Sequence, residues 1–123
     1  DTENVVALNA AAENLKPGGK MVIDFMNTDK VIENLIAEEE KEIEGIVFNI
    51  NRHVENGFIV KTIRFTDKGH NYCFEERVRA LRQQDFLEFF NMSQLRLAEV
   101  FGDYQLGPYN KEESERMIFV LKK

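Results

Sequence analysis

The chain has 123 residues, 43% hydrophobic and 31% charged, enough for one domain with a core and unlike a disordered segment. Its formal net charge of -6 argues against a surface built to neutralise nucleic-acid phosphates, and no apolar run approaches the ~20 residues that cross a bilayer. One cysteine and two histidines allow no internal disulfide and make a poor ligand set for structural zinc, so no metal is expected and a reducing cytoplasm is.

The start is polar and acidic rather than basic then greasy, so it does not read as a signal peptide. The absence of an initiator methionine suggests a processed protein or a fragment of a longer one. Asp1 to Leu15 reads as a helix, capped by Asp1 or Thr2, with Val5, Leu8, Ala12 and Leu15 along one stripe. Pro17 forbids its continuation and Gly18-Gly19 permits a tight reversal. Met21, Val22, Ile23, Phe25 and Met26 then form a nearly unbroken apolar run, interrupted by Asp24 and closed by Asn27. Such a run suits a strand covered on both faces, the habit of parallel sheets flanked by helices, and ligands collect at the carboxyl ends of such strands. A second helix is expected from Thr28 through Val31, Ile32, Leu35 and Ile36, with Glu38-Glu39-Glu40 ending it as a solvated loop.

From Ile46 the period changes to two, and Asn56-Gly57 is a strong hairpin signal. If those two residues form a primed turn, Val54 faces Ile59, Ile50 faces Ile63 and Phe48 faces Phe65. A second turn at Asp67-Lys68-Gly69-His70 sets Tyr72 beside Phe65, Phe74 beside Ile63 and Val78 beside Ile59. The two turns therefore predict one three-stranded antiparallel meander with a shared apolar face. One charged row crosses that face: Arg52 falls opposite Lys61, and Lys61 opposite Glu76. Two adjacent cations in an apolar surface need an anion, so Arg52 and Lys61 are candidates for a carboxylate or other anion site, unless their stems carry them to a wet rim. Asn49, Asn51, His53, Thr62, Arg64, Glu75 and Arg77 form the opposite, polar face. His53 has no serine or cysteine nucleophile tied to it, and Cys73 no C-x-x-C partner.

Gln84 to Met92 carries Phe86, Leu87, Phe89 and Phe90 at helical spacing, with Asp85 in the first turn. Leu95, Leu97 and Val100-Phe101 read as a strand, Gly102-Asp103-Tyr104 as a turn, and Met117 to Leu121 as a last strand. The loop between, holding Pro108, Tyr109 and Ser114, is long for a hairpin. This strand pair is expected to join the sheet that Met21 to Met26 begins.

Leu15-Lys16-Pro17-Gly18-Gly19 leading to Val22-Ile23-Asp24-Phe25 resembles the loop and fifth strand of class I S-adenosylmethionine-dependent methyltransferases. Phe101-Gly102-Asp103-Tyr104, Pro108-Tyr109 and Ser114-Glu115-Arg116-Met117-Ile118 resemble the last strand pair of bacterial small-molecule members, with the meander in the place of their antiparallel insert. The resemblance spans nearly the whole chain. It implies an α/β fold, α+β as an isolated fragment, comprising the carboxy-terminal half of a Rossmann-like sheet. Within one partial domain, 1–37 would be helix, strand and helix, 42–82 the insert, and 83–123 the closing helix and strand pair.

The family's glycine-rich cofactor loop and its acidic ribose-binding residue have no counterpart, and no Gly-x-Gly pattern occurs. The resemblance therefore implies that S-adenosyl-L-methionine is bound mainly by an absent amino-terminal half, with Phe25 and Asn27 bordering its cleft. It also implies that this half supplies the acceptor side and lid for a small-molecule acceptor, with Arg52, Lys61 and Tyr104 as substrate contacts. On its own the chain is expected to be inactive. The alternative is a non-catalytic interaction module that forms a homodimer through its exposed sheet.

Overall fold

The elements run α1 (Thr2–Glu13), β1 (Lys20–Met26), α2 (Thr28–Glu33), β2 (Glu38–Ile43), β3 (Ile46–Glu55), β4 (Phe58–Asp67), β5 (His70–Arg79), α3 (Gln83–Asn91), β6 (Arg96–Phe101) and β7 (Arg116–Lys122). They come from a computed structural model that describes residues 2–123, so a cap at Asp1 lies outside the described residues. The chain divides into two compact units, one made of the chain up to Val31 together with Leu81–Lys123, the other of Ile32–Ala80.

In the first unit the strand order is β1-β7-β6, with β7 antiparallel to both neighbours. The expected joining of the last strand pair to β1 is met. Leu8 and Ala12 of α1 and Phe86, Phe89 and Phe90 of α3 bury themselves with Met117, Phe119 and Leu121 in one apolar core. The Phe86 ring lies 5.0 Å from that of Phe119 and 5.3 Å from that of Phe25, so the aromatic stripe of α3 is core. The backbone N–H of Arg82 donates to the Asp85 carboxylate at 2.8 Å, closing the first turn of α3.

Two expectations for this unit change. The β1 run is not covered on both faces: Met21, Ile23 and Phe25 pack against the core, while Val22 is 62% exposed. Its hydrogen-bonded neighbour is antiparallel, and both long helices lie on the one face that carries the core. Helix α2 stops at Glu33, because the chain straightens into β2 rather than continuing to Ile36. The carboxyl end of α1 is closed by Lys123, whose Nζ donates to the carbonyls of Ala12 at 2.7 Å and Leu15 at 2.8 Å, where a cation is favoured. Residues 18 and 19 hydrogen-bond to the backbone of that same lysine, which ties the Pro-Gly-Gly reversal to the end of β7.

The second unit is an antiparallel sheet of order β2-β3-β4-β5. Its last three strands are the expected meander in the expected register: Val54 pairs with Ile59 and Ile59 with Val78, Ile50 with Ile63 and Ile63 with Phe74. The Phe48 ring sits 4.8 Å from Phe65, which stacks at 4.9 Å on Tyr72. Both turns are built as read, Asn56-Gly57 with φ 49° and 79°, Lys68-Gly69 with φ 51° and 79°.

The fourth strand corrects the reading of Glu38-Glu39-Glu40 as a loop. Glu44-Gly45 adopts the same pair of positive φ values, 52° and 81°, and folds Glu38–Ile43 back along β3. Glu39, Lys41 and Ile43 then face Ile50, Phe48 and Ile46. On the polar face, Val60 is buried between the ladder positions of His53 and Arg77, so that face is not uniformly wet.

Candidate functional site

In the antiparallel unit, the charged row is present as read: Arg52 pairs in register with Lys61, and Lys61 with Glu76. The compensating anion is Glu39, supplied by the strand that sequence reading missed. Arg52 Nη1 donates to Glu39 Oε2 at 2.8 Å, while its backbone N–H donates to the Ala37 carbonyl. The hydrogen bond from Arg52 holds the Glu39 carboxyl below its ordinary range; burial opposes this, and Lys41 reinforces it. Lys61, half-buried, is left facing Glu76 across the ladder, in a face otherwise made of Ile50, Ile59 and Ile63. The arrangement can therefore offer an anion one ammonium, with Arg52 as a fixed charge behind it.

In the other unit, the polar groups converge where β1 ends. Asn27 is fully buried. Its Nδ2 donates to the carbonyls of Lys111 at 2.7 Å and Ser114 at 2.8 Å, and its Oδ1 accepts from the Tyr109 hydroxyl at 3.3 Å. Its backbone N–H donates to the Glu115 carbonyl and its own carbonyl accepts from Val31. That side chain ties the long loop before β7 to the end of β1, and bonds within the loop, among them those of Asn110 to Ser114, Glu112 and Glu113, hold the rest of it without regular structure. Thr28, also buried, donates its hydroxyl to the Leu81 carbonyl. Burial, helped by the charge of Asp29, pushes the Tyr109 hydroxyl above its ordinary value.

Asp24 projects from the exposed face of β1. It accepts from the Tyr104 hydroxyl at 2.7 Å and from Arg116 Nε at 2.9 Å. Burial opposes its ionisation, yet the hydrogen bonds from Tyr104 and Arg116 and the guanidinium charge together hold its carboxyl below the usual range. The same bond holds the Tyr104 phenol above its ordinary value, with burial adding to it. Asp103 shapes the turn that carries Tyr104, its Oδ1 accepting from the backbone N–H groups of Gln105 and Gly107. A side chain at Gly102 would collide with Ser114, which gives the Gly-Asp-Tyr sequence its steric reason.

The structure therefore brings Arg52 beside Lys61, and Tyr104 beside Asp24. Phe25 lies in the core against Phe86, and Asn27 has all four of its polar groups engaged within the chain. Neither offers a free hydrogen-bonding group to a cofactor, so these residues do not by themselves form a cradle for S-adenosylmethionine. Sequence reading missed the partners Glu39, Arg116 and Tyr109. The one signal available was Asp24, a carboxylate interrupting an apolar run. His53 is exposed, its Nε2 3.8 Å from Glu55, and Cys73 is exposed on β5. Among the described residues no group of three His, Cys, Asp or Glu side chains is placed to hold a metal, and no helix is long and apolar enough to cross a membrane.

Solved methyltransferases share this fold. An S-adenosylmethionine-dependent methyltransferase from Clostridium acetobutylicum superposes with a TM-score of 0.73 at 18% identity, over 96% of this chain and 50% of its own. The CcbJ methyltransferase from Streptomyces caelestis does so at 0.76 and 18%, over 98% and 53%. CalS10, an amino pentose methyltransferase from Micromonospora echinaspora involved in calicheamicin biosynthesis and solved with S-adenosylmethionine bound, matches at 0.53 and 16%, over 96% and 49%. The chain spans about half the length of each of these proteins. No family model and no curated protein sequence matches it. The fold is thus the mixed α/β fold of these methyltransferases, over about half its extent.

Proposed function

We propose that this chain is the carboxy-terminal half of an S-adenosylmethionine-dependent methyltransferase that methylates a small-molecule acceptor, and that it supplies the acceptor side. The observation that carries the reading is the coincidence of two independent features. The sheet order β1-β7-β6 places an antiparallel strand between the two others, and an antiparallel sheet is inserted between β1 and α3. Nearly all of the chain, insert included, superposes on the methyltransferases.

S-adenosylmethionine, when bound, would supply a methyl group already activated on a sulfonium, so the protein's task is alignment of the acceptor and exclusion of water. The engagement of Asn27 and Phe25 within the chain fits cofactor binding mainly by the other half, with the end of β1 bordering the cleft. Lys61, backed by Arg52, is the acceptor contact proposed for the antiparallel unit, and Tyr104 that for the helix-bearing unit. In the full-length enzyme, Lys61→Ala is expected to raise the acceptor's KM about tenfold or more with kcat nearly unchanged, the signature of lost uniform binding. Steady-state kinetics with unchanged KM would remove Lys61 from the acceptor site. Arg52→Ala should raise KM less and also lower stability, because it leaves Glu39 without its partner.

A further inference from the structure

The polar face of the antiparallel unit satisfies its own side chains at one end and not at the other. Toward the Asn56-Gly57 turn the charges neutralise one another: Arg77 donates from Nη2 to Glu55 at 2.9 Å and from Nε to Glu75 at 2.6 Å, and His53 Nε2 lies 3.8 Å from the same Glu55. Toward the opposite end the pattern stops. Asn49 on β3 faces Arg64 on β4, and Arg64 faces Cys73 on β5. Among the described residues neither Asn49 nor Arg64 has a side-chain hydrogen bond or an ion pair within the chain. Two residues further along β4, Thr66 donates its hydroxyl to Asn71 Oδ1 at 2.7 Å, which leaves the Asn71 amide hydrogens unengaged.

These side chains line a groove of about 620 Å³, a size that takes small molecules. Its walls carry one cation and no carboxylate, in a chain whose 22 acidic residues outnumber its 16 basic ones. Glu75, two residues beyond Cys73 on the same face, is held by Arg77 and does not neutralise Arg64. Three adjacent strands, spaced about 4.8 Å apart, thus present a guanidinium with an amide on either side of it. A guanidinium meets an oxyanion through parallel N–H bonds, and donors arriving from three strands match the three terminal oxygens of a phosphate monoester.

We propose that this groove binds the phosphate group of a small phosphate monoester, with Arg64 as the charged contact and Asn49 and Asn71 donating beside it. The inference rests on the antiparallel unit alone and does not depend on the methyltransferase reading.

Cys73 supplies a reporter, since it is the chain's one cysteine, is exposed and stands opposite Arg64 in register. Inorganic phosphate and phenyl phosphate, each titrated into the chain at constant ionic strength, are expected to shift the amide resonances of Asn49, Arg64, Thr66, Asn71 and Cys73 saturably. Both should slow alkylation of Cys73 by iodoacetamide several-fold. Arg64→Gln should weaken both ligands about tenfold or more, and Arg64→Lys, which keeps the charge and loses the fork, by less. Far-UV circular dichroism should show the sheet intact in both variants, because Arg64 has no partner within the chain to lose. Shifts centred on another part of the sheet, affinity that Arg64→Gln leaves unchanged, or alkylation of Cys73 indifferent to saturating phosphate would overturn the proposal. The absence of a saturable shift with either ligand would overturn it equally.

Discussion

Asn27 is the residue that ties the first unit's long loop to the end of β1. Removing its side chain leaves the carbonyls of Lys111 and Ser114 and the hydroxyl of Tyr109 without their partner in a buried place. Asn27→Ala is therefore expected to lower stability by about 2–3 kcal/mol in urea denaturation, and a loss below ~0.5 kcal/mol would contradict the role assigned to it. Asp24 gives a pH signature. Its folded carboxyl titrates below its ordinary value of 3.8, so its contribution is complete above that value and disappears as pH falls through the lowered one. Denaturation of Asp24→Asn beside the unaltered chain should show a gap, under about 1 kcal/mol for so exposed a group, that is constant at neutral pH and closes below about pH 4. A gap independent of pH would mean that the bonds from Tyr104 and Arg116 add nothing to the ionised form. The sequence marked Asp24, Asn27 and Tyr104 as places of interest. It could not pair them, because Tyr104 and Arg116 reach Asp24 across 80 and 92 residues, and no local pattern encodes a contact of that range.

Elements were legible in proportion to how local their cause is. The meander was readable because Asn56-Gly57 supplies both positive φ values cheaply and the alternation on either side fixes one register. Strand β2 was not, since Glu44-Gly45 does the same work with a less favoured first residue and the strand beyond it carries four glutamates. Its stability comes from the ladder with β3 and from the Glu39–Arg52 pair, which no reading of β2 alone reveals. Gly45→Val should accordingly cost about 1–2 kcal/mol, the penalty for forcing a branched residue into left-handed backbone, and detach β2 first. Amide exchange is expected to quicken in Glu38–Ile43 ahead of β4. Uniform exchange across the sheet would contradict the view of β2 as its least independent strand.

At the scale of the whole molecule, the sheet order β1-β7-β6 is the feature from which the account follows. That the closing strand pair joins the sheet of β1 was foreseeable from the Pro-Gly-Gly reversal, the apolar run and the strand pair near the end; that β7 lies between β1 and β6 was not. Nor was the exposure of Val22, because the same run serves a strand covered on one face or on two. The central claim is that this chain carries the acceptor side of a methyltransferase whose cofactor site lies mainly elsewhere. Calorimetric titration of S-adenosylhomocysteine into the chain, and in parallel into the native reading frame extended upstream, tests it most directly. The account predicts heat of binding from the longer protein alone. Binding by neither would contradict it, and would leave the likeness to methyltransferases as one of fold.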